Sequence, residues 1–185
     1  MEKTLSIQDE LIEKCKNGDT SGYTGLYNLY AKEVYNTVYN LVHHTAEAED
    51  ILQESFIAAY QAMDKFQNTG GFRAWVKRIA INLSISRLRR NKMKFVEMNV
   101  DSDHTRDDDQ VDESAITFKI EEVQRAIAAL PEAYRTVFQL YAVEEIPQAE
   151  IARMLGIAHN TVRIQYHRAK QKIVRTLKEA GYHEK

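Results

Sequence analysis

Residues 96–115 carry eight acidic side chains and one basic one, a net charge of −7 over twenty positions with few apolar groups among them. Asp101, Asp103, Asp107, Asp108, Asp109, Asp112 and Glu113 repel one another, and no core can be built there. The chain must therefore fold on either side of this stretch. The flanks are mildly basic, +2 over residues 1–95 and +3 over 116–185. Both keep long runs of 3.6-residue apolar period, and the 185 residues include only two Pro and seven Gly. The expectation is an all-α protein: two small helical domains, 1–95 and 116–185, joined by a flexible acidic linker at 96–115. With 44% hydrophobic residues, each block has enough apolar material for a core.

In the first block, Ser6-Ile7-Gln8-Asp9 reads as a capping box, and Leu11, Ile12 and Cys15 as the inner face of a short helix ended by Asn17-Gly18. A second helix is expected from about Thr20 to His43, its tyrosines lining the core. Thr45 is placed as the cap of a third, running to about Phe66, with Leu52, Phe56 and Ala59 inward. Asp50, Gln53, Glu54 and Ile57 then share its outer face, either solvated or an acidic strip for a basic protein partner. Gln67-Asn68-Thr69-Gly70-Gly71 is a polar loop. A fourth helix follows from Phe72 to Lys94, with Phe72, Trp75, Val76, Ile79 and Leu83 inward. Its end gathers Arg87, Arg89, Arg90, Lys92 and Lys94, more positive charge than a helix C-terminus needs, which suggests phosphate contact.

In the second block, a helix is expected from Ala115 to Leu130, with Ile116, Ile120, Val123, Ile127 and Leu130 inward. Pro131 opens the next, which carries Tyr134, Val137, Phe138 and Tyr141. Pro147 fits the first position of a short helix, Ala152 allows a close helix approach, and Gly156 supplies a left-handed stop. A longer helix begins near His159. This is the spacing of a helix-turn-helix. Val162, Tyr166, Ala169 and Ile173 form its buried stripe. His159, Asn160, Arg163, Ile164, His167 and Lys170 lie away from it and include base-edge readers, phosphate binders and an apolar group able to meet a thymine methyl. The alternative is the solvated basic face of an ordinary hairpin.

Several chemistries are unsupported. The single Cys15 excludes a disulfide framework and a Cys-rich zinc site, and is expected to be a buried thiol. The linker carboxylates lack the ordered, Gly-containing loop of a calcium site. No nucleophile–base arrangement or Gly-rich phosphate loop stands out, so neither enzymatic activity nor a cofactor is expected. No segment approaches the ~20 apolar residues of a membrane span, and Met1-Glu2-Lys3-Thr4 does not open a signal peptide. A cytoplasmic protein is expected. DNA binders that act unaided are usually far more basic than a net −2, so help from a partner or masking of the DNA affinity is implied.

Five motifs then stand in order. They are Ala48-Glu49-Asp50-Ile51-Leu52-Gln53-Glu54-Ser55-Phe56, Phe72-Arg73-Ala74-Trp75-Val76-Lys77-Arg78-Ile79-Ala80-Ile81-Asn82 with Leu88-Arg89-Arg90, Leu130-Pro131-Glu132-Ala133-Tyr134-Arg135, Glu150-Ile151-Ala152-Arg153-Met154-Leu155-Gly156-Ile157, and Thr161-Val162 with Arg168-Ala169-Lys170. In this order, on both sides of an acidic linker, they resemble a bacterial extracytoplasmic-function (group 4) sigma factor of the sigma-70 family, over nearly the whole chain. The resemblance implies a specificity subunit of RNA polymerase rather than an enzyme.

By that resemblance the first domain docks on the clamp helices of the polymerase largest subunit, through a motif in which Asp50, Gln53, Glu54 and Ile57 fall. It also opens the −10 element, using Phe66, Asn68, Thr69, Gly70, Gly71 and Asn82 to hold a flipped-out base, with Arg87, Arg89 and Arg90 beside them. A pocket for an unstacked base traps melted DNA through binding energy alone. The second domain meets the flap of the second-largest subunit and reads the −35 element with His159, Asn160, Thr161, Arg163, Ile164, His167, Arg168 and Lys170. The linker would lie in the template and RNA-exit path. An anti-sigma factor is an expected partner, and no C-terminal regulatory extension is expected after Lys185.

The sequence departs from the family pattern at Ser86, where an acidic residue is common, and at Ala158, where a Ser cap is common and Asn160 is the alternative cap. Gln165 and Tyr166 replace a basic residue and a Leu. Two other readings compete. One is a free-standing helix-turn-helix regulator and the other a metal-using nucleic-acid enzyme.

Overall fold

The computed structural model describes residues 7–67, 71–92 and 120–179, without the side chains of 91 and 92. The acidic linker, Ser6, Asn68, Thr69, Gly70, Lys94 and Ile116 lie outside these residues. The chain divides into two compact units, 1–94 and 95–185. Each is all-helical among the described residues.

The first unit contains α1 (Ile7–Lys16), α2 (Thr20–Val42), α3 (Thr45–Gln61) and α4 (Gly71–Lys92). Asp19 caps α2 by accepting the Ser21 N–H at 2.8 Å. His43 closes α2 in the left-handed conformation, φ 52°. The cap of α3 differs from expectation: His44, not Thr45, is the extended residue, and its Nδ1 accepts the Glu47 N–H at 3.3 Å. An imidazole nitrogen thus does what a hydroxyl was expected to do, satisfying one orphan N–H of the first turn.

Helix α3 also ends early. Ala62 leaves helical geometry, Met63–Lys65 form one 3-10 turn, and Phe66 is extended. Met63 and Phe66 are nevertheless both buried, continuing the inward stripe of Phe56 and Ala59 past the end of the helix.

Phe56 and Phe72 anchor that core, with Leu26, Val34, Val38, Ile51 and Val76 around them. Truncating either Phe to Ala would remove roughly 3–5 kcal/mol. Tyr23, Tyr30, Tyr35 and Tyr60 line its margin, as expected, whereas Tyr27 and Tyr39 are exposed. The Tyr60 hydroxyl donates to the Tyr23 carbonyl at 2.8 Å and the Tyr23 hydroxyl to the Cys15 carbonyl at 3.1 Å. Cys15 is buried, as expected.

Helix α4 packs against both α2 and α3, so its covered arc is wider than the single expected stripe. Ala80, Ile81, Ser84 and Ile85 are buried together with Phe72 and Val76, whereas Ile79, Leu83 and Trp75 are only half-buried. Small Ala80 and Ser84 allow the close approach, and the Ser84 hydroxyl donates back to the Ala80 carbonyl at 2.8 Å.

The second unit contains α5 (Ile120–Ala128), α6 (Glu132–Phe138), a π-helical continuation (Gln139–Val143), α7 (Gln148–Leu155) and α8 (His159–Glu179). Ile120 is 76% exposed rather than inward; Ala126 and Leu130 face Ala169, Ile173 and Leu177 of α8 instead. Pro131 and Pro147 are extended residues immediately before α6 and α7, one position earlier than expected of Pro147. The Pro147 carbonyl accepts from Glu150 and Ile151 at 2.8 and 3.0 Å. Gly156 is left-handed, φ 67°, and its N–H and that of Ile157 both return to the Ala152 carbonyl. Asn160 does not cap α8, since the Ala158 carbonyl already accepts from Thr161 and Val162.

Candidate protein and nucleic-acid interfaces

Alternation along α3 separates two faces. Ile51, Leu52, Ser55, Phe56 and Ala59 are buried, while Asp50, Gln53, Glu54 and Ile57 are all exposed, Ile57 at 55%. Two carboxylates, an amide and an aliphatic side chain on neighbouring turns make an acidic strip with an apolar group at its C-terminal end. Glu54 is not isolated: Arg87 of α4 donates to its carboxylate at 3.4 Å.

Sequence reasoning placed Arg87 with the phosphate-binding groups. Its side chain instead lies across to α3, more covered than that of Glu54. Arg89 and Arg90 are exposed. Asn82 is exposed too, and its backbone carbonyl accepts the Ser86 hydroxyl at 2.8 Å. It lies three turns beyond Gly71 on the same side of α4, ~16 Å along the axis. Such a distance matches several nucleotides of an extended strand rather than one base.

Phe66 departs from its expected role. It is 7% exposed, with its ring 4.9 Å from Trp75 and edge-on to Phe72 at 6.0 Å. Covered in this way, the ring has little surface left to offer a ligand. Asn68, Thr69 and Gly70 fall outside the described residues. Gly71 begins α4 at φ 82°, a conformation that only glycine adopts without strain.

The root of α4 is pinned by groups that local sequence patterns do not reveal. Arg73 grips Glu33 of α2 with Nε at 2.7 and 2.9 Å and a second nitrogen at 2.7 Å, and Lys77 adds a contact at 3.3 Å. The Arg73 hydrogen bonds, with Lys77 assisting, hold the Glu33 carboxyl below the usual carboxylate range. These partners are forty or more residues apart, and no spacing rule would pair them.

In the second unit, Val162, Ala169 and Ile173 are buried as expected, and Tyr166 is half-buried with its ring edge-on to Tyr141 at 4.6 Å and stacked near Phe138. His159, Asn160, Arg163, Ile164 and His167 are exposed, Ile164 at 42%. His159, Arg163 and His167 stand in one column by successive steps of four. Thr161 and Lys170 are half-buried at its margins. Arg168 turns away from this column and reaches the Tyr134 hydroxyl of α6 at 3.3 Å, fastening α8 to its neighbour. Arg153 of α7, not selected from the sequence, is exposed as well.

Among the described residues, no group of three His, Cys, Asp or Glu side chains is arranged for a metal, and no helix is long and apolar enough to cross a membrane.

Comparison with known proteins identifies both units. The family model Sigma-70 region 2 matches residues 26–93, and Sigma-70, region 4 matches residues 120–173. The chain is 30% identical over 184 residues to the RNA polymerase sigma-H factor of Pseudomonas aeruginosa, covering 94% of this chain and 95% of that protein. It is 29% identical over 178 residues to the ECF RNA polymerase sigma factor SigW of Bacillus subtilis, covering 91% and 95%. Two solved structures share the fold. One is CnrH in complex with the cytosolic domain of CnrY, with a TM-score of 0.54, 21% identity and coverage of 94% of this chain and 99% of that one. The other is the sigma factor RpoE in complex with the anti-sigma factor NepR from Bartonella quintana, with 0.52, 18%, 84% and 96%. With two sigma-70 segments in order and full-length relatives of this kind, the chain belongs to the sigma-70 family of RNA polymerase sigma factors, in its extracytoplasmic-function group.

Proposed function

We propose that this protein docks on core RNA polymerase through the α3 strip Asp50, Gln53, Glu54 and Ile57. It melts the −10 element with the α4 region of the first unit and reads the −35 element as duplex with α8. The observation that carries this reading is the exposed column His159–Arg163–His167 flanked by Asn160 and Ile164, on a helix whose other side buries Val162, Ala169, Ile173 and Leu177. An Arg at such a position offers a bidentate contact to guanine, and Ile164 an apolar one to a thymine methyl. In this reading 1–95 is the docking and melting domain, 116–185 the −35 domain, and 96–115 the connection running through the template and RNA-exit path. The second unit meets the flap of the second-largest subunit.

Asn82, Arg89 and Arg90 are the DNA-facing groups of α4, with Asn68, Thr69, Gly70 and Gly71 in the segment before it. Thr161 and Lys170 flank the α8 column, while Phe66 and Arg168 act as supports. Arg87 sits between the docking and DNA surfaces. The protein works in the cytoplasm without catalytic residues or a cofactor. An anti-sigma protein holds it inactive, a reading supported by the solved relatives, both of which are complexes with such regulators or partner domains.

The test is reconstitution. Purified chain and core polymerase, mixed with a promoter library, should yield transcripts starting downstream of a shared pair of −35 and −10 sequences. Sequence-specific duplex binding by the chain alone, with no association with core polymerase, would overturn this reading in favour of a free-standing regulator.

A further inference from the structure

Helix α8 carries no acidic side chain before its last residue, Glu179. On its exposed side His159, Arg163 and His167 follow one another by steps of four, each a rise of about 6 Å along the axis. Arg163 is thus flanked by an imidazole on either side. The two imidazoles are separated along the axis by about 12 Å, close to the width of a major groove. A helix that presents Arg163 to the base edges therefore brings an imidazole towards the backbone on each side. Among the described residues, the side chains of all three make no hydrogen bond or ion pair.

The elements packed against α8 leave this column alone. α5 lies along Ala169, Ile173 and Leu177, beyond His167. There Arg125 stands 3.9 Å from Glu122, with Glu121 exposed beside them. In α6, Arg135 donates to the Ala128 and Leu130 carbonyls at 3.1 and 3.0 Å, and Glu132 is exposed in the first turn. Glu144 and Glu145 follow the π-helical continuation, and α7 carries Glu150 and Arg153. The phenols beside α8 are engaged elsewhere, Tyr134 with Arg168 and Tyr141 with the ring of Tyr166. Among the described residues, none of these groups is hydrogen-bonded or ion-paired to His159 or His167.

A guanidinium keeps its charge at every working pH, whereas imidazole as a group changes its charge between pH 5 and 8. The column therefore offers DNA one positive charge with both imidazoles neutral and three with both protonated. We propose that His159 and His167 grip backbone phosphates of the −35 duplex as imidazolium groups on either side of Arg163, so that engagement of the −35 element takes up protons and strengthens as pH falls. The inference rests on the −35 reading given above and adds a regulation to it. The sign follows from reciprocity: a phosphate favours the protonated ring, and the protonated ring favours phosphate by the same factor. Each exposed contact of this kind should contribute a few-fold, and both together about tenfold. Each should also add about 0.9 to the dependence of log affinity on log salt concentration, because a gripped phosphate releases its counterions.

The experiment uses holoenzyme assembled from core polymerase and full-length chain. The probe is a fluorescent duplex of the best transcribed promoter from the library above, held at a temperature that keeps its strands closed. Affinity is measured from pH 5.5 to 8 at several salt concentrations for the parent, His159→Gln, His167→Gln, the double Gln variant, His159→Arg/His167→Arg and Arg163→Ala. Comparison with the double Gln variant removes any proton uptake by core polymerase itself. Relative to that variant, the parent should gain about tenfold between pH 8 and 5.5, with each single variant keeping a few-fold. At pH 5.5 the parent's salt slope should be steeper by about 1.8, and the difference should narrow towards pH 8. The double Arg variant should bind at pH 8 much as the parent does at pH 5.5. A pH response in the double Gln variant equal to the parent's would overturn the proposal, as would a flat response in the parent. If Arg163→Ala still weakens binding in either case, the −35 reading stands without it. Parental affinity in Arg163→Ala at every pH would remove both.

Discussion

Arg87 of α4 and Glu54 of α3 share an ion pair at 3.4 Å, which ties the proposed polymerase-docking strip to the helix proposed to meet −10 DNA. The pair is partly exposed, so it stabilises the fold by no more than about 1 kcal/mol. Its interest is competition. A basic partner that takes Glu54 leaves the guanidinium of Arg87 without this carboxylate. Glu54→Gln should therefore raise the affinity of the free chain for single-stranded −10 DNA by a few-fold. With saturating core polymerase the same substitution should change DNA affinity little. Equal increases in both states, measured by fluorescence anisotropy, would show that Arg87 is not exchanged between the two surfaces. Asp50→Lys with Glu54→Lys should weaken core binding while circular dichroism stays parental, since both side chains are exposed.

Arg163→Ala should cost roughly 1–3 kcal/mol of −35 binding if its fork reads a base. The deficit belongs to duplex engagement and should remain on a promoter with a pre-opened bubble. Asn82→Ala acts only once strands part, so the bubble should partly restore it. Permanganate footprinting on closed and bubble templates separates the two. Equal rescue of both variants, or of neither, contradicts this division of labour.

Glu33 gives a pH dependence of defined sign. Its carboxyl is held below the usual range in the folded state, chiefly by Arg73 and then by Lys77. The stabilisation is fully present above the unfolded value of about 4.5 and fades as pH falls from there through the depressed folded value. Urea midpoints of parent and Glu33→Gln should differ near neutral pH, by the equivalent of up to about 1 kcal/mol for so accessible a cluster. The gap should close in acid, and a gap that persists unchanged at pH 3 would mean that the charge is not what Glu33 contributes.

Burial, reinforced by Asp19, pushes the Cys15 thiol up to about 11. At pH 8 only about one molecule in a thousand would carry the reactive thiolate. Alkylation by iodoacetamide should be very slow in the native protein and fast in urea. A native rate like that of a free thiol would show that α1 opens readily from the first unit.

Much of this was legible in the sequence for a physical reason: helices bury one side, and that side repeats. The outer face of α3 followed from spacing alone, as did the buried stripe of α8 and the turn at Gly156. Features set by distant partners were not legible. Phe66 was placed by resemblance among the groups that hold a base, but its packing against Phe72 and Trp75 depends on how α4 meets the end of α3. Arg168 was placed by resemblance among the −35 readers, but its bond to Tyr134 depends on how α6 crosses α8. The His44 cap and the Glu33–Arg73 fork follow the same logic, because a side chain with several possible partners is assigned only by packing.

The seam between α1 and α2 constrains how this chain can drift in sequence. Gly22 and Gly25 face Leu11 from inside α2, where glycine weakens a helix by roughly 0.5–1 kcal/mol relative to alanine. At Gly22 an added Cβ would fall 2.6 Å from the Leu11 carbonyl oxygen and 2.8 Å from the Cys15 nitrogen, both backbone atoms that cannot step aside. At Gly25 the obstacle is the tip of the Leu11 side chain, which a smaller residue at position 11 would remove. Position 25 is therefore free to exchange glycine for alanine once position 11 shrinks, and the helix would gain by it. Position 22 has no such route, and any lineage that keeps α1 seated at this depth inherits its glycine.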